Sequence, residues 1–70
     1  MSGLEVMKKS YPKLYELYNK GNDECKKIAI NIYYHNYDTT FNEDVVDYCK
    51  NIGFNVYNDK ENEGLYYIKY

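Results

Sequence analysis

The sequence contains no arginine, no glutamine and no tryptophan, and only one alanine, one proline and one histidine. Each absence excludes something. Without arginine there is no planar fork for bidentate contacts to phosphate or to guanine, so the commonest route to sequence-specific DNA reading is closed. The single histidine, His35, and the two cysteines, Cys25 and Cys49, are far apart in the chain. Structural zinc sites bring such ligands at close spacing, so no metal site is expected. Two cysteines also make no disulfide framework. A bridge between them would need an oxidising compartment, for which nothing else argues.

Long apolar runs are missing too. No stretch reaches the roughly 18 residues that a membrane-spanning helix needs. Met1 to Lys9 is already mixed and charged, unlike the apolar core of a signal peptide. The expectation is a cytoplasmic protein with no membrane association. The four glycines, Gly3, Gly21, Gly53 and Gly64, stand apart at element ends, so there is no phosphate-cradling loop. No serine lies near His35, and Cys49 falls on an apolar stripe. A catalytic centre is not expected, and neither is a cofactor.

What remains is one small domain, 1–70, with eleven tyrosines, nine asparagines, nine lysines and a net charge of -2. A chain this short buries little apolar surface. Tyrosine must therefore supply part of the core, and its hydroxyl needs a partner or water. Lys, Asn, Tyr and Ile are also the residues of AT-rich codons, so part of this bias is compositional.

Periodicity places the elements. Leu4, Met7, Tyr11, Leu14 and Tyr18 form one helical stripe over 4–20. Pro12 either kinks that helix or starts a new one after a short lead-in. Residues 26–36 alternate, with Ile28, Ile30, Ile32 and Tyr34 on one side and Ala29, Asn31, Tyr33 and His35 on the other. This pattern predicts a strand. Residues 41–52 read as a helix, opened by a Thr40–Glu43 capping box and closed by Gly53. Phe41, Val45, Tyr48, Cys49 and Ile52 share its apolar face. Residues 54–58 and 65–70 read as strands joined by a polar loop, the second of them a candidate edge strand. The run Cys49–Phe54 resembles the helix-to-strand passage near the end of acetyltransferases and glyoxalase-type domains. That passage is common to any helix closed by glycine before a strand, and it identifies no family.

The expected fold is α+β: two helices on one face of a small three-stranded sheet, in the order α-β-α-β-β. The other sheet face would then carry Tyr33, His35, Tyr37, Tyr57, Tyr66 and Tyr70, with Tyr67 as the alternative on the last strand. Tyrosine is enriched at interfaces and their hot spots. Residues 36–70 are acidic, and Glu43, Asp44 and Asp47 on the second helix would steer a basic partner surface. The expected function is a protein-binding module without enzymatic activity. Its form would be a stoichiometric inhibitor or regulatory accessory protein, of the kind viruses and mobile elements encode, acting on a nucleic-acid-handling enzyme. A homodimer is a related expectation. The alternative is a small nucleic-acid-binding domain that stacks bases on its aromatic sheet. The acidic balance and missing arginine count against it. A winged-helix arrangement ranks lower still, because its recognition helix would present Glu43, Asp44 and Asp47 to phosphate.

Overall fold

Pro12 divides the first helical stretch in two. In the computed structural model, which describes residues 3–70, α1 (Gly3–Ser10) stops before the proline and α2 (Pro12–Tyr18) begins on it. A proline in the first helical turn loses no hydrogen bond the helix would have made. Tyr11 between them leaves the helical conformation, with φ -134° and ψ 67°, and makes no side-chain cap. The second alternative therefore holds, and the lead-in is itself a helix.

The expected strand at 26–36 is instead part of a helix, α3 (Asp23–His35). The alternation of isoleucines competes with a second pattern. Cys25, Ile28, Ala29 and Ile32 are spaced three and four apart, and these four are the buried residues. Both ends are sealed. Asn22 accepts a hydrogen bond from the Glu24 amide at 2.8 Å, and Asp23 and Glu24 sit at the positive end of the helix dipole. At the other end Asn36 takes the left-handed conformation, φ 68°, which asparagine tolerates better than most residues. Ile30 and Tyr34, assigned inward by the strand pattern, are exposed.

The sheet follows. β1 (Tyr37–Thr40) leads into α4 (Glu43–Ile52), then β2 (Asn55–Asn58) and β3 (Tyr66–Lys69). The strand order is β1-β3-β2, with both pairings antiparallel. β1 and β2 thus run the same way, joined through α4, with β3 inserted between them as a split β-α-β unit. One expectation changes: the last strand is central, not an edge. The α+β class stands, with helices packed on one sheet face, but the described residues form four helices and the first strand comes later.

The core lies between that face and the helices. Leu14, Leu17, Ile28, Ile32 and Ile68 are essentially fully buried, each contributing about 1.5–3 kcal/mol relative to exposure. Cys25 and Cys49 join them as free, buried thiols.

The predicted Thr40–Glu43 capping box does not form. Asn42 caps α4 instead, accepting from the amides of Asp44 at 3.0 Å and Val45 at 3.3 Å. The Thr40 hydroxyl donates to Oε1 of Glu24, and Asn42 Nδ2 donates to Oε2 at 2.8 Å. One carboxylate thus ties the start of α3 to the β1–α4 corner. Phe41, expected on the apolar face of the helix, precedes it and is 67% exposed.

Candidate functional site: the open tyrosine face

Side chains alternate along a strand, and the register determines which of them share a face. Tyr37 lies opposite Lys69, and Lys69 opposite Asn55; Thr39 lies opposite Tyr67, and Tyr67 opposite Tyr57. These six residues form the face turned away from the helices. The other face carries Asp38, Thr40, Val56, Asn58, Tyr66 and the fully buried Ile68.

Tyr37, Tyr57, Tyr67 and Lys69 line an open depression of about 330 Å³. The Tyr37 and Tyr67 rings are tilted, with centroids 6.4 Å apart. Lys69 Nζ stands 5.9 Å from the Tyr57 ring centre, an attractive contact with the electron-rich ring face. Tyr37 and Tyr57 are about half exposed, at 49% and 54%. None of the six strand residues on this face is acidic, and Lys69 is the one charged side chain among them.

Other expected members lie elsewhere. Tyr66 projects to the helix side of the sheet, the reverse of its expected facing. Tyr33 is on α3, not on a strand, and His35 is the exposed last residue of that helix. Tyr70 follows β3 and joins an aromatic chain with Tyr33. Ring centroids run Tyr34–Tyr33 at 5.1 Å, Tyr33–Tyr11 at 5.8 Å, Tyr11–Tyr70 at 5.5 Å and Tyr70–Phe54 at 5.8 Å, all edge-to-face. Such pairs add about 0.5–1.5 kcal/mol each beyond their area. Lys13 completes the cluster, 4.8 Å over Tyr70 and donating to the Gly53 carbonyl at 3.2 Å. Tyr33 and Tyr70 are therefore tied into the fold.

Glu43, Asp44 and Asp47 are exposed on α4. The opposite side of α4 buries Val45 and Cys49 in the core that also holds Ile68. The acidic helix surface and the tyrosine face thus point in opposite directions, and a flat partner cannot cover both.

Lysines of the first half are largely turned onto the protein's own rings. Lys8 lies over Tyr15, Lys13 over Tyr70, Lys20 over Tyr48 at 3.6 Å, and Lys26 over Tyr18. These four lysines are thereby divided among separate aromatic contacts.

A second concavity, about 370 Å³, escaped the sequence reading. Leu4 and Met7 of α1, Tyr18 at the end of α2, and Ile30, Tyr33 and Tyr34 of α3 line it. Its signal was the pair Ile30 and Tyr34, four residues apart and off the buried stripe of α3.

Burial pushes the Cys49 thiol up to about 12, with Cys25 adding to the effect, and burial also raises Cys25. Cys49 is enclosed while His35 is exposed, so they do not form a nucleophile and base. Among the described residues, no group of three His, Cys, Asp or Glu is placed to hold a metal ion. Nor is any described helix long and apolar enough to cross a membrane. No family model, curated protein or solved structure matches the chain.

Proposed function

We propose that this protein is a small non-enzymatic binding module, working in the cytoplasm without a cofactor, that occupies a protein partner through its open sheet face. One observation carries the reading: Tyr37, Tyr57, Tyr67 and Lys69 share a sheet face that no described element covers. Tyrosines anchor interfaces because a broad apolar ring and a hydroxyl come with few rotatable bonds to order. The role is stoichiometric, as an inhibitor or regulatory accessory protein of the kind viruses and mobile elements encode, directed at a nucleic-acid-handling enzyme. The acidic surface of α4 lies on the far side, so it acts at a distance, biasing approach to a basic partner. Glu43, Asp44 and Asp47 thus affect association rate more than the bound contact.

A nucleic-acid reading rests on the same rings, since three tyrosines beside a lysine resemble a base-stacking platform. Against it stand the missing arginine and the lysines held over internal rings, which leave Lys69 alone on the face. The two readings separate by ligand: the nucleic-acid reading requires binding of labelled single strands at low salt, weakening as salt rises, and the protein-partner reading requires none. Binding of labelled single strands at low salt that is lost on Tyr57→Ala would replace the protein-partner reading.

A further inference from the structure

The sheet has two edges, and they differ. Both edge strands are four residues long, so length does not distinguish them. Side chains do. β1 carries Asp38 on its inner side, opposite Ile68, with Oδ2 buried and without a hydrogen-bond partner among the described residues. An inward-pointing charge is a recognised guard on an edge strand, because a strand docking there would remove the remaining water from it. Each edge strand also touches a helix, α3 against β1 and α4 against β2, so helix contact does not distinguish them.

β2 has no such guard. Asn55, Val56, Tyr57 and Asn58 are uncharged, and the uncharged run extends back through Asn51. There is no proline, lysine or inward acid on this edge. Among the described residues, its outward backbone amides and carbonyls pair with no other strand.

We propose that the β2 edge is a self-association surface, where a second copy pairs its own β2 antiparallel to form a six-stranded sheet. A strand edge is self-complementary under a two-fold axis, since each copy offers donors where the other offers acceptors. The uncharged stretch lets two acidic chains meet here without like-charge contact. Two registers keep the faces matched, one centred on Val56 and one on Tyr57. The second sets the two Tyr57 rings side by side at cross-strand distance, about 4.5–5.5 Å between Cβ atoms. The two tyrosine faces then join into one continuous aromatic surface. The contact is short, so the dimer is weak and concentration-dependent.

This interface does not depend on the protein-partner reading, and it has its own readout. Sedimentation velocity across a concentration series should give a mass rising from monomer to dimer. Tyr57→Lys puts a like charge on both strands, at the axis in one register and one residue from it in the other, and should raise the dissociation constant about tenfold or more, the fold-change that 1.4 kcal/mol corresponds to. Tyr37→Lys, on the guarded edge of the same face, should leave it unchanged. Asn58→Lys tests the same edge if Tyr57→Lys fails to fold. A monomer mass up to millimolar concentration overturns the proposal. So does equal weakening by Tyr37→Lys, which would place the contact on the tyrosine face rather than at the edge.

Discussion

Tyr67 stands directly opposite Tyr57 on one side and Thr39 on the other. It is the middle residue of the open face, on the central strand. Tyr57 and Tyr37 flank it and are half exposed, whereas Tyr67 is more enclosed.

Position therefore separates structural from available tyrosines. Tyr67→Ala removes packing on both sides and should cost about 1–2 kcal/mol in urea unfolding. Tyr57→Ala, losing one cross-strand neighbour, should cost less than about 1 kcal/mol. Equal losses would mean that the fold depends on Tyr57 no less than on Tyr67.

Glu24 connects elements that a local reading kept apart. Hydrogen bonds from Thr40 first, then Asn42, hold its carboxyl below the usual range. A carboxyl lowered on folding stabilises the protein above its unfolded value, and the contribution disappears as pH falls through the folded value. Thermal stability should therefore decline on the acid side. Glu24→Gln, which can accept from only one of these partners, should flatten that decline. Thr40→Val should lower stability by about 1–2 kcal/mol at neutral pH. An unchanged acid profile in Glu24→Gln would remove Glu24 from this role.

The thiols supply a probe of global opening. A cysteine reacts as its thiolate, and burial raises both Cys25 and Cys49, the latter to about 12. Thiol reagents should leave the native protein unmodified at neutral pH and label both sites in denaturant. Fast labelling of native protein would contradict the buried placement.

Gly53 closes α4 at φ 112°. An added Cβ would meet only the Lys13 side chain, with Cδ at an ordinary 3.7 Å, so the cost of Gly53→Ala is conformational, about 1 kcal/mol or slightly more. By contrast Asn36→Gly, at φ 68°, should be neutral to within about 0.5 kcal/mol. Thermal melts of the two variants compare these costs directly.

These contrasts also explain what was legible in the sequence. The break at Pro12, the glycine stop of α4 and the hairpin 55–69 follow from local chemistry that the fold does not override. The misread segment was 26–36, where Ile28, Ile30 and Ile32 alternate. The decisive residues were less conspicuous: Cys25 and Ala29 complete the helical stripe, and Asn22 and Asn36 seal its ends. Once that strand became a helix, Tyr33 and His35 left the candidate face. Tyr66 and Tyr67 could not be assigned without the register, because both are tyrosine and parity alone distinguishes them. The Glu24–Thr40 contact spans sixteen residues, beyond any local motif.

The central claim is that the uncovered sheet face binds a protein partner. Its most direct test is affinity capture from the native source, with mass spectrometry, using wild type and the Tyr37→Ala, Tyr57→Ala double variant. Wild type should retain one protein in stoichiometric amount, and the double variant, shown folded by its melting transition, should lose it. Equal capture by the folded double variant would contradict the account.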